Sequence, residues 1–308
     1  MINRRFVREK VVQTCYSYHM KGISDIITAD KAMTRGFKEI ASLYLYNLSF
    51  IVALNDYFRM RFELASKKFV PTEKELNPNT RFIRNRIVEY IRNSAKFQSA
   101  EECYKFNARE NIALLKNLYE QIINSEPYKI YLETEDNLAE DVDYMRRLYK
   151  NRIVPNETFR DMCKERSLYW AADYNSVAYW VYEQIKGFGT ERDNLFMKDY
   201  SGDLEFGIKL LNETLLHKDE YREVLYSRLE NWEPDRVALL DRIIIITAVA
   251  ELVHFPQIPI KVTLNEFIEI SKIFCSEKTR IFVNGLLHKI SVDLTEQGVI
   301  KKSGRGLI

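Results

Sequence analysis

The sequence predicts an all-α protein, and two observations carry that prediction. Between a few proline and glycine breaks the apolar residues recur at three- and four-residue intervals, the period of amphipathic helices, and no convincing alternating strand series is visible. With only 10 Gly and 7 Pro in 308 residues, 46% hydrophobic and 29% charged, the composition is that of a folded, helix-rich chain. The length allows one large domain or two ordinary ones, each able to bury a core.

Taken in order, a first helix runs from Asn3 to about Met20. Val7, Val11 and Tyr18 share one face of it, and Arg4, Arg5, Arg8 and Tyr16 occupy a broad opposite face with Gln13 beside it. A long second helix covers roughly 24–68, before a loop marked by Pro71 and Pro78. Further helices are predicted at 81–94, 101–124, 137–151 and 156–186, and Gly187-Phe188-Gly189 reads as a hinge into the last third. That third carries helices at 203–216, 218–231, 235–254, 264–274 and 277–291. The basic tail, residues 295–308 with Lys301-Lys302-Ser303-Gly304-Arg305-Gly306, is expected to fray.

The densest information lies in the last third. Pro256 and Pro259 stop one helix, and Thr263 followed by Glu266 reads as a capping box that starts the next. Ser276 can cap the following helix, whose Val283, Leu286, Leu287 and Ile290 form an apolar stripe. Gly285 within it costs about 1 kcal/mol relative to Ala and is expected to permit close helix approach. Upstream, Leu239, Ile243, Ile246, Ala250 and Val253 repeat as a seam that these helices can cover.

Two separated segments resemble the signature of the NusB transcription-antitermination family. One is Lys261-Val262 with Asn265-Glu266, Glu269 and Lys272, followed by Phe282-Val283-Asn284-Gly285 and Leu287; the other is the arginine-rich start from Arg4 to Tyr16. The resemblance covers about residues 3–20 and 203–292, and family members join those parts by a far shorter segment. It implies a NusB-like helical bundle interrupted by an α-helical insertion: first helix 1–24, insertion 25–195, C-terminal part 196–294 and tail 295–308. It also implies a cytoplasmic, non-enzymatic factor that binds single-stranded boxA-like RNA in ribosomal RNA transcripts. Ribosomal protein NusE, other Nus factors and RNA polymerase are the implied partners.

Arginines neutralise phosphates with forked donors, and an exposed tyrosine can stack on an unpaired base. The expected RNA contacts are therefore Arg4, Arg5, Arg8, Lys10, Gln13 and Tyr16, extended by Lys278 and Arg280. Phe274 and Phe282 match aromatic family positions near RNA, and Asp241 matches an acidic one assigned to partner binding. For Tyr16, Phe274 and Phe282 core packing is an equal alternative, and for Asp241 an ordinary capping or ion-pairing role is the favoured alternative. Four contacts, from Arg4, Arg5, Arg8 and Lys10, would give a log-log salt slope of about −3 on single-stranded RNA.

Other function classes have less support. A net charge of +2 gives no overall attraction for nucleic acid, so a local patch must supply it. Cys15, Cys103, Cys163 and Cys275 form no CxxC pair, which argues against a cysteine zinc site and a disulfide framework. No signal peptide or membrane-spanning apolar run is evident. Glu251-x-x-His254 resembles half of a di-iron element, but a second copy is missing; His19, His217, His254 and His288 show no catalytic arrangement. No metal, cofactor or catalytic residue is expected. The alternatives are a helical protein-interaction module and a NusB-like domain of an RNA methyltransferase, which S-adenosylmethionine binding would reveal.

Overall fold

The computed structural model describes residues 3–22, 25–95, 97–99, 106–190, 200–229 and 237–307. Among them every regular element is helical. The described residues within Ile2–Phe37 and Asp199–Ile308 form one compact unit, and those within Lys38–Lys198 form another.

The first unit contains helix α1 (Arg4–Met20) and the start of α2 (Ile26–Ser66). Asn3 caps α1 by accepting from the Phe6 amide at 2.8 Å, and Phe6, Val7, Val11, Val12, Cys15 and Tyr18 are buried along it. In α2, Ala29, Met33 and Phe37 belong to the same core, so packing places residues 25–37 with α1, where the sequence reading had assigned them to the middle segment. The sequence pattern of α2 continues without a break past residue 37, which hid the change of surroundings.

The second unit begins with Lys38–Ser66 of α2 and continues through α3 (Glu73–Leu76), α4 (Arg86–Asn93), α5 (Ile112–Ile123), α6 (Glu126–Glu133) and α7 (Leu138–Leu148). A π-helical turn, Tyr149–Ile153, leads to α8 (Glu157–Arg166) and α9 (Leu168–Gly187). The single helix expected over 156–186 is broken at Ser167, which turns extended and caps α9 by accepting from the Tyr169 amide. Rings fill this core: Phe50 meets Phe106 and Phe159 at 4.8 and 4.2 Å, and Phe58 meets Phe82 at 4.6 Å. The buried Tyr149 hydroxyl donates to Asn47 at 2.8 Å. The stretch of α2 with mean hydropathy 1.2 is long and apolar enough to cross a membrane, and 78% of it is buried. At Gly187-Phe188-Gly189 the expected hinge is a packed helix end: Phe188 lies against Tyr90, and Gly189 has φ +76.

The last third returns to the first unit with α10 (Ser201–Leu216), α11 (Lys218–Tyr226), α12 (Leu239–His254), α13 (Ile260–Phe274) and α14 (Glu277–Glu296). α12 is the hub, packed by α1, α10, α11, α13 and α14. Every residue from Ile243 to Leu252 is buried, so α12 is covered all round, whereas the sequence had offered only a one-sided seam. Two local expectations fail. α13 starts at Ile260 after Pro259, and buried Thr263 donates to Glu251 instead of capping with Glu266. Gly285 is exposed and nothing approaches it; close approach occurs at Gly207, where an added Cβ would meet Met33 and Val7 at 2.6 and 2.9 Å.

The tail is docked, against the expectation of fraying. Lys302 Nζ donates to the carbonyls of Leu252 and Phe255 at the end of α12, at 2.8 and 3.1 Å, and the Ser303 amide donates to Pro256. Gly306 is buried directly against the Pro256 carbonyl, where a Cβ would collide with backbone.

Candidate nucleic-acid interface

Helix α1 opens with two arginines and no acidic residue in its first turn, a placement that opposes the helix dipole. Other helices supply the missing carboxylates. Arg5 makes a two-pronged pair with Glu266 of α13 at 3.0 and 2.9 Å, and this hydrogen bonding raises its pKa further. Arg8 makes another with Glu251 of α12 at 2.6 and 2.9 Å. Thr263 supplies a third bond to Glu251 at 2.8 Å, and Glu266 lies 3.8 Å from Arg8.

Burial divides the expected contacts. Arg8 is 2% exposed and Lys10 4% exposed, so neither presents its charge to a ligand; Lys10 Nζ donates to Gln13 and lies over the Phe6 ring. Both were expected on an RNA face. The correction for Arg8 comes from packing: it faces the hub helix and pairs there with Glu251, because a buried guanidinium is tolerated only when paired. Arg4 is exposed, lies 4.6 Å over the ring of Phe206, and has no carboxylate partner among the described residues. Arg5 keeps 41% of its side chain exposed.

Arg4, Arg5 and Arg305 line one groove of about 630 Å³, whose other walls are Asn3, the little-exposed Arg8, Gln257, Ile258, Pro259, Val262 and Glu266. Arg305 reaches it because the tail is docked, and no spacing in the sequence pointed to that. Glu251, Glu266 and Phe206, which hold the arginines, were also not assigned this role from sequence. The signal available was a basic helix start that required acidic partners elsewhere.

The remaining candidates lie toward the other end of this unit. Tyr16 is 38% exposed on α1, with Gln13 half-buried one turn earlier. Phe274 and Phe282 are half-buried, Lys278 is exposed, and Arg280 is 3.7 Å from Glu277. Asp241 is 6% exposed; burial first, and then the neighbouring Asp241 carboxylate, push the Cys275 thiol up to about 12. Arg4 and Tyr16 stand twelve positions apart on one helix, about 18 Å at 1.5 Å per residue, so Tyr16 lies well away from the groove.

The NusB family model matches residues 186–292. Curated relatives titled transcription antitermination protein NusB include that of Bacillus pumilus, 39% identical over 95 residues, which cover 31% of this chain and 68% of the relative. The chain belongs to the NusB family. The Salinibacter ruber NusB is 39% identical over 104 residues, 34% of this chain and 65% of its own length; the Chloroherpeton thalassium NusB is 34% identical over 104 residues, 34% and 49% respectively. The chain thus spans between about half and two thirds of the curated relatives it matches. No solved structure matches. The NusB match holds α10 to α13 and most of α14, while α1 lies outside it and joins those helices by packing.

Proposed function

We propose that this protein is a cytoplasmic transcription antitermination factor that binds boxA-like single-stranded RNA together with NusE, and acts with other Nus factors on RNA polymerase. The carrying observation is the arginine groove: Arg4, Arg5 and Arg305 converge on one face of the unit that contains the NusB match. Phosphates there meet forked donors, one of which is already oriented by Glu266. Tyr16 and the Phe274–Phe282 end supply rings for unpaired bases farther along. The chemistry is binding, not catalysis.

The corrected burial changes the expected salt dependence. With Arg8 and Lys10 withdrawn, Arg4, Arg5 and Arg305 give a log-log slope of about −2 at roughly 0.7 per contact. Lys278 and Arg280 engaging as well would bring it to about −3.5. Such a site is weak alone, consistent with a need for a protein partner.

The test is fluorescence anisotropy of labelled boxA RNA against a scrambled control, with and without NusE, over a salt range. Arg4→Glu with Arg5→Glu weakens boxA binding and flattens the slope. Unchanged affinity and slope in that variant, under both conditions, rules the groove out and favours the helical protein-interaction module.

A further inference from the structure

One cluster of chemistry-bearing side chains lies outside the arginine groove. Glu213 and His217 stand one turn apart at the end of α10, and His254 is the last residue of α12. One ligand atom of each falls within 4.8 Å of the others. We infer that Glu213, His217 and His254 form a binding site for a divalent transition-metal ion of the zinc class.

Orientation carries this further than proximity. His254 Nδ1 is 3.2 Å from Glu213 Oε2, and its other nitrogen, Nε2, is held at 2.7 Å by the Tyr221 hydroxyl. His217 Nε2 is 3.6 Å from the same Glu213 oxygen, and its Nδ1 is held at 3.1 Å by Glu220. Each imidazole therefore turns one nitrogen inward and has the other fixed by an oxygen. Metal-binding histidines carry this outer partner because it fixes the tautomer and leaves the inner lone pair for the ion. Tyr221 is 3% exposed, so its hydroxyl is a rigid support.

The spacing suits a tetrahedral ion. Bonds of about 2.0–2.1 Å place neighbouring ligands about 3.3 Å apart, and the two carboxylate–imidazole distances, 3.2 and 3.6 Å, bracket that value. The rings themselves lie 4.9 Å apart with 27° between planes, so closure needs a small swing of His217, whose side chain is 37% exposed. Two neutral nitrogens and one carboxylate leave a fourth position for water. The ion would tie the end of α10 to the end of α12.

The test uses the full chain, stripped with chelator and titrated with zinc against a chromogenic competitor, with cobalt as a spectroscopic substitute. Wild type should take up one zinc per chain, and cobalt should give the intense visible bands of a tetrahedral site. Losing an outer hydrogen-bond partner typically costs about 10- to 100-fold in metal affinity, so Tyr221→Phe falls in that range and His217→Ala or Glu213→Gln loses about 100-fold or more. His288→Ala, remote in sequence, binds as wild type. Less than one zinc per chain, octahedral cobalt bands, or unchanged affinity in both His217→Ala and Glu213→Gln overturns the site. The outcome is independent of RNA binding.

Discussion

Replacing Glu251 with Ala removes the carboxylate that meets Arg8 with two short hydrogen bonds, in a place where Arg8 is 2% and Glu251 0% exposed. Breaking a buried pair by removing one member typically costs about 3–5 kcal/mol, because the remaining charge is left without compensation. Glu266, 3.8 Å away and 21% exposed, offsets part of this, although Arg5 already engages it. The expected loss is therefore near the lower end, about 3 kcal/mol, or roughly a 150-fold rise in the opening equilibrium at 1.36 kcal/mol per tenfold. Hydrogen exchange of the α12 amides reads it directly, since those deepest in the hub exchange only through opening of this unit. The combined variant Arg8→Met, Glu251→Leu, Thr263→Val, which removes charge and partner together, should recover most of the stability. A loss below about 1 kcal/mol in Glu251→Ala, or a combined variant no better than the single one, refutes the role given to this pair.

Further outcomes are expected elsewhere. Phe37 and Tyr200 rings are 5.8 Å apart, so replacing residues 38–198 by a short Gly/Ser linker should leave a helical protein by circular dichroism. A cut beginning at 25 also deletes buried Met33 and Phe37, each worth about 2–5 kcal/mol, and should not fold. Tyr149→Phe strands the buried Asn47 oxygen and should cost about 1–3 kcal/mol in urea unfolding. Gly306→Ala should undock the tail, read as faster exchange at Ser303 and Gly306 with the amides of mid-α12 unaffected. Glu75 is held down at about 2, first by Lys68 and then by Thr72. Its contribution is complete above the ordinary value of 4.5 and lost as pH falls through about 2, so an NMR titration should find that low midpoint, and Lys68→Met should raise it.

Helix positions were legible because periodic burial leaves its mark on every turn: Val7, Val11 and Tyr18 are all buried as their shared face required. Caps were less so. Thr263 and Glu266 have the right spacing for a capping box, yet each is claimed by an arginine-binding network that begins at Arg5, 261 positions before Glu266. A hub helix buried all round looks one-sided in sequence only when some apolar positions are discounted, as Ile244, Ile245 and Val249 were. At the candidate interface, a wheel separates apolar from charged faces but cannot tell an arginine facing water from one facing a buried glutamate. Arg4 and Arg5 remain on the surface, whereas Arg8 is buried against Glu251. The Glu213–His217–His254 cluster joins two helix ends through tertiary packing, and only Glu213 and His217 stand one turn apart in sequence.

The Arg8–Glu251 pair also sets an order of events during synthesis. Its members are separated by 243 positions, which a ribosome covers in roughly 12–50 s at about 5–20 residues per second. The leading helix must wait that long, its valines without their hub, while the whole of 38–198 emerges and has time to fold. Nascent chains stalled before and after residue 251 should thus differ in protease resistance at α1 far more than within that intervening segment.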